Sequence, residues 1–286
     1  MVDGKDLICI QSIYMKYITS FITAVVLLSA CSPKPFAGSN KEYRKKLKGY
    51  AKLIRMEPTD SIVADSLKTA AYFIGTTNFS MRRPNYVIIH HTAQNSCEQT
   101  LKTFTNDSTA VSAHYIICKD GTLHHILNDY LRAWHAGAAK WGNETDLNSS
   151  SIGIEMDNNG IDSFSEAQLN TLLGLLASLK KKYSIPAANF IGHGDIAPGR
   201  KVDPNINFPW KRFAEKGYGL WYNDTTNIIT PENFDPVLAL RIVGYDVSNL
   251  PATIQAFRRH FLQTDRTGEL TEPEKKVLYM LMRKFL

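Results

Sequence analysis

The segment Gly192-His193-Gly194-Asp195-Ile196-Ala197-Pro198-Gly199-Arg200-Lys201-Val202-Asp203-Pro204 brings an imidazole, an ammonium and a carboxylate together between glycines and prolines. Far upstream, the apolar run Val87-Ile88-Ile89 ends on a second imidazole, His90. Two imidazoles and a carboxylate are the ligand complement of a catalytic zinc site, which keeps its fourth position for water. Lys201 would then stand close to the metal, where a cation stabilises a developing oxyanion. The chemistry these residue types support is hydrolysis. Position 91 is also histidine, and alternation along a strand sends His90 and His91 to opposite faces, so the two compete for the ligand role.

Two further segments carry chemical groups. Glu155 ends the apolar run Ile152-Gly153-Ile154, and a carboxylate among residues that should be buried is costly without a task or a partner. Beside activated water it would serve as general base and then pass the proton to a leaving amine. In an arbitrary protein the same residue would simply turn to solvent at a strand end. Trp134-His135-Ala136-Gly137, followed by Trp141-Gly142, sets aromatic faces and an imidazole in a glycine-containing loop suited to a sugar or peptide groove. Tryptophan is also a common packing residue, so this segment carries less weight alone.

The elements that must position these groups follow from periodicity. Tyr86-Val87-Ile88-Ile89 reads as a buried strand. Ser112–Cys118 and Thr122–Leu127 read as a hairpin around Lys119-Asp120-Gly121. Ser151–Met156 is another short strand, and Asn189–Gly192 a further one that delivers His193 at its end. Ser96-Cys97-Glu98-Gln99 and Ser165-Glu166-Ala167-Gln168 are capping boxes that open helices. Leu169, Leu172, Leu173, Leu176 and Leu179 line one face of the second helix, which Pro186 ends. Strands alternating with helices predict an α/β (α+β) fold with a central mixed β-sheet flanked by helices. From about Thr230 the pattern changes to three short amphipathic helices, at Val237–Ile242, Ala252–Phe261 and Pro273–Phe285. A bundle this small has little core of its own and is expected to dock on the main domain.

The N-terminus concerns location. Met15-Lys16, the expected true start, precedes an apolar run from Tyr17 to Leu28 that is too short to span a bilayer and reads as an export signal. The ending Leu28-Ser29-Ala30-Cys31 resembles the lipobox of bacterial lipoproteins, which implies acylation of Cys31. Residues 1–30 are thus read as signal and 31–76 as a tether with a basic segment. In that segment Tyr43, Leu47, Tyr50, Leu53 and Ile54 fall at roughly helical spacing. The 286 residues carry a formal charge of +6, mild enough for a solvated basic face or for an anionic polymer or membrane nearby. No nucleic-acid motif is present. Cys97 and Cys118 remain in the exported part, where a disulfide is permitted but spacing alone does not establish one.

Together these segments resemble the zinc-dependent N-acetylmuramoyl-L-alanine amidases of the type-2 amidase family, which includes the peptidoglycan recognition proteins. The resemblance rests on Val87–Ala93, Val111–Tyr115, Arg132–Gly137, Ser151–Glu155 and Gly192–Pro204, in that order. It implies a catalytic domain over 77–225, with zinc held by His90, His193 and Asp203. It further implies Glu155 as the residue that activates water, Lys201 as the oxyanion stabiliser, and Trp134 and His135 as substrate-binding. The bond implied is the amide between the lactyl group of N-acetylmuramic acid, or its anhydro form, and L-alanine of the stem peptide. Gly244-Tyr245-Asp246-Val247 and Ile254–Phe261 resemble the peptidoglycan-binding-like module of envelope lipoprotein amidases, here spanning 230–286. By that analogy the protein is anchored by lipid in the outer membrane, facing the periplasm, with peptidoglycan or muropeptides as partners; nothing in the sequence suggests an obligate oligomer, so a monomer is expected. Two other readings are a muropeptide-binding protein without catalysis and a structural tether. The first typically lacks a zinc ligand, whereas every candidate ligand is present here.

Overall fold

The computed structural model describes residues 34–56, 74–81 and 83–286; the segment expected to be an export signal and Cys31 lie outside them. The chain divides into two compact units, Met1–Gly75 and Thr76–Leu286. In the first, the described residues form helix α1 (Ala37–Ile54), longer than the basic segment suggested. No helix among the described residues is long and apolar enough to cross a membrane.

The second unit is built on five strands: β1 (Tyr86–His91), β2 (Tyr115–Ile117), β3 (Leu123–His125), β4 (Ser151–Met156) and β5 (Phe190–Gly192). Their order is β3-β2-β4-β1-β5. β1 lies parallel to both β4 and β5, β2 is parallel to β4, and β3 is antiparallel at the edge. The mixed sheet is therefore as expected, although β2 and β3 are shorter than the hydrophobic pattern implied. The parallel strands send their carboxyl ends to one sheet edge, the usual place for a site in such sheets. His90, Glu155 and the start of the His193 turn all arrive there.

Alternation assigns the two faces. Val87, Ile89, Ile152, Ile154 and Met156 pack with helix α4 (Glu166–Tyr183) in one apolar cluster. Ser165 and Gln168 form the capping box of α4, and Leu169, Leu172, Leu175, Leu176 and Leu179 are buried; Leu173 is partly buried and packs against the same cluster. At the first capping sequence, Ser96 caps α2 (Cys97–Thr105), but Gln99 Oε1 accepts from the Asn95 N–H instead of closing the box. Cys97 and Cys118 form a disulfide that joins the start of α2 to the end of β2. The remaining short helices of the domain are α3 (Leu147–Ser150), α5 (His193–Ile196) and α6 (Trp210–Ala214).

The other face carries Ile88 and Ile191, which join the C-terminal helices α7 (Pro236–Val243), α8 (Leu250–Leu262) and α9 (Glu272–Met282) in a second cluster. Leu240, Phe257, Phe261 and Leu278 make up much of it. The three-helix module thus shares one hydrophobic core with the sheet. The turn that follows α7 fits tightly: Gly244 has φ +128°, and a Cβ there would lie 2.4 Å from the Trp141 ring.

Candidate functional site

His90 is the fifth residue of β1 and pairs in register with Glu155 on β4, so the two side chains leave the same face of the sheet. His193 opens α5 directly after β5. Asp203 returns to the same edge because its carbonyl accepts the Gly194 N–H at 2.7 Å. The resulting cluster is tight. His90 Nδ1 lies 2.9 Å from His193 Nδ1, and Asp203 Oδ2 lies 3.0 Å from each. All three residues are buried. His91 rests against Gly160 and lends no atom to the triangle.

The outer nitrogens decide which atoms face inward. Ser151 Oγ donates to the Leu147 carbonyl and so accepts from His135 Nε2, 3.2 Å away. That leaves His135 Nδ1 as an acceptor for the Nε2–H of His90 at 3.0 Å. His193 Nε2 donates to the Ala136 carbonyl at 3.0 Å. In their neutral forms both rings therefore turn an Nδ1 lone pair toward the other and toward a carboxylate. Such a triangle of acceptors is repulsive until a cation sits among them. A tetrahedral ion with bonds of about 2.0–2.1 Å spaces its donors about 3.3 Å apart, close to the distances found here. The residues fit a divalent metal, with the outer N–H groups orienting each imidazole as metal-ligating histidines require.

Electrostatics agree with that geometry. Burial, reinforced by the neighbouring His193, lowers His90 to about 4, so its ring is neutral and able to ligate at neutral pH. Burial alone would raise the Asp203 carboxyl, but its position between the His193 and His90 rings outweighs that and holds the group well below the usual range. Glu155 is different. Burial, and secondarily the charge of Asp203, push its pKa up to about 8, with Lys201 opposing. Its Oε2 is buried and has no hydrogen-bond partner. An orphaned carboxyl oxygen beside this triangle of acceptors marks space for a group that arrives with the ligand. Lys201 is half-buried, near enough for its charge to be felt at both Glu155 and His90.

The loop 134–137 departs from expectation at one position. Trp134 is 52% exposed and open to a ligand, but His135 is buried behind His90 with both ring nitrogens engaged inside the protein. It orients His90 and has no nitrogen left for a substrate. Gly153 is required beneath it, since a Cβ there would meet the imidazole at 2.5 Å. Sequence reasoning also missed Ser151, Arg200 and His114. Arg200 clamps the Ala136 and Ala138 carbonyls, and His114 Nδ1 accepts the Gly153 N–H. His114 is a polar residue beside the apolar run Tyr115-Ile116-Ile117, a signal that could have exposed it, whereas Ser151 follows Asn148-Ser149-Ser150 and carries no such signal.

Residues 80–206 match the N-acetylmuramoyl-L-alanine amidase family. The N-acetylmuramoyl-L-alanine amidase AmiD of Escherichia coli (strain K12) is 30% identical over 234 residues, spanning 71% of this chain and 84% of AmiD. The chain belongs to this amidase family. A 1,6-anhydro-N-acetylmuramyl-L-alanine amidase, AmpD of Citrobacter freundii, is 38% identical over 103 residues, 36% of this chain and 55% of AmpD. Among solved structures, the complex of E. coli AmiD with its substrate anhydro-N-acetylmuramic acid-L-Ala-D-gamma-Glu-L-Lys aligns with TM-score 0.64 at 27% identity, over 80% of this chain and 97% of that one. AMPDH3 from Pseudomonas aeruginosa, in complex with anhydromuramic pentapeptide, aligns with TM-score 0.64 at 28% identity, over 77% and 99%. The metal triangle and Glu155 fall within the family-matched segment.

Proposed function

We propose that this amidase hydrolyses the amide between the lactyl group of N-acetylmuramic acid, or its anhydro form, and L-alanine of the stem peptide, in cell-wall turnover or recycling, and that zinc is its metal. The observation that carries the reading is the triangle of His90, His193 and Asp203 with the unpartnered Glu155 carboxylate beside it. Zinc in that triangle would act as a Lewis acid, polarising the scissile carbonyl and acidifying water.

The chain's own residues do the rest. His90, His193 and Asp203 would hold the ion, with His135 and the Ala136 carbonyl fixing the two rings. Glu155 takes the proton from the attacking water and delivers it to the nitrogen of the departing L-alanine. Its raised pKa suits both halves of that transfer near neutral pH. Lys201 offers its ammonium to the charge that develops on the carbonyl oxygen. Trp134 supplies an exposed aromatic face for sugar or peptide. Acylation of Cys31 would hold the enzyme at the outer membrane facing the periplasm, where peptidoglycan is within reach.

The test is mass spectrometry of muropeptides incubated with the protein from Ser32 onward, with and without a zinc chelator. Free stem peptides beginning with L-alanine, lost with chelator and restored by zinc, are expected. Intact muropeptides at full zinc occupancy would overturn the assignment and favour a muropeptide-binding lipoprotein.

A further inference from the structure

The metal triangle hangs on one short turn, and that turn is held from the C-terminal module. His193 and Asp195 belong to α5; the Asp195 Oδ2 accepts the Gly192 N–H at 2.8 Å and so closes the turn around His193. Gly194, between them, donates to the Asp203 carbonyl. Two of the three metal-site residues therefore depend on the placement of Asp195. Asp195 is buried, and what pairs with it comes from the module. Tyr245 Oη donates to its Oδ1 at 2.7 Å, and His260 Nδ1 donates to its Oδ2 at 2.7 Å.

The contacts around this carboxylate are dense and polar where a core made for stability alone would be apolar. The His260 ring stacks on Trp210 at 3.9 Å, and its Nε2 is buried without a partner. Leaving that nitrogen unpaired costs stability, so the ring is there for what Nδ1 does. Tyr245 is wedged beside Trp141, whose loop donates the Gly142 N–H to the Gly244 carbonyl. The same loop supplies the Ala136 carbonyl that orients His193. Both routes from the module end at His193.

We propose that the C-terminal module is a positioning element of the metal site, with Tyr245 and His260 acting through Asp195 to set the His193 turn. The inference rests on the reading of His90, His193 and Asp203 as metal ligands. It gives the module a task within the active site, whether or not its outer surface also meets glycan.

The experiment compares wild type with Tyr245→Phe, His260→Phe, their double variant, His260→Asn, which keeps a donor near the Nδ1 position, and Glu274→Gln elsewhere in the module. Cobalt(II) is the probe, read by its affinity and visible spectrum, together with hydrogen exchange of the amides of residues 192–197. The double variant is expected to bind cobalt about tenfold more weakly, the scale of a lost supporting contact at a metal site. Its spectrum should shift and its Gly192 amide should exchange faster, while His260→Asn restores much of each. Glu274→Gln should lower the melting temperature and leave affinity and spectrum unchanged. Unchanged affinity, spectrum and exchange in the double variant would overturn the proposal, as would an equal loss of affinity in Glu274→Gln. If wild type bound no cobalt, the metal reading would fall, and exchange at Gly192 would decide the positioning role by itself.

Discussion

Two of the buried polar clusters among the described residues are built on opposite principles. In the C-terminal module, Arg258 is buried and spends all five of its N–H donors: on both oxygens of Glu274 and on the carbonyls of Arg266, Gly268 and Glu269. Glu274 accepts in addition from Arg266 and from the Thr271 N–H, so it is at once an ion-pair partner and the capping residue of α9. At the sheet edge, His90, His193 and Asp203 crowd acceptors together and Glu155 keeps an oxygen without a partner. A buried charge that is fully paired secures a fold. One left open has been held ready for something that binds.

Variants that break this contrast differ in size. His193→Ala is expected to abolish both metal retention and muropeptide turnover, measured by metal content after dialysis and by product formation. Glu155→Gln should lower kcat about a thousandfold with metal content intact, the scale of a lost general acid–base. The same variant tests the raised pKa. In metal-free protein Glu155 stays protonated up to about 8 while the unfolded chain ionises near 4.5. The folded state then binds more protons across that window, so stability falls as pH rises from about 4.5 to about 8. Urea unfolding of metal-free Glu155→Gln should show a flatter pH dependence over the same range. Glu274→Ala reverses the pattern, costing about 3–5 kcal/mol in urea unfolding because Arg258 is left buried and unpaired, with kcat of the folded fraction unchanged. Ser151→Ala is the mildest: it removes the far end of the His135 relay and should weaken metal binding about tenfold by chelator competition.

The strands and the metal triangle could be read from the chain because both follow local rules. β4 begins and ends where its alternation predicts, and His90 and His193 each close an apolar run that proves to be a strand. The role of His135 could not be read that way. Tryptophan, histidine and glycine in a loop look the same in sequence whether the imidazole faces solvent or backs another histidine. Only the approach of Gly153 beneath the ring separates the cases. Asp195 was likewise hidden, since its partners lie 50 and 65 residues downstream in helices whose amphipathic pattern says nothing of their polar contacts. Leu175 joins the core of α4 although periodicity did not single it out, because the adjoining sheet, not periodicity alone, sets how wide the buried stripe is.

His90 and Asp203 stand 113 residues apart in the chain. They meet only after β1 has found β4 and β5 on either side, and such long-range parallel pairing is slow to form. A polypeptide still leaving the ribosome keeps these side chains far from one another and has no place to hold a cation. The amidase site therefore appears late in the life of each molecule, after the sheet has formed. The connectivity of the sheet is itself the delay that keeps the amidase silent while it is being made.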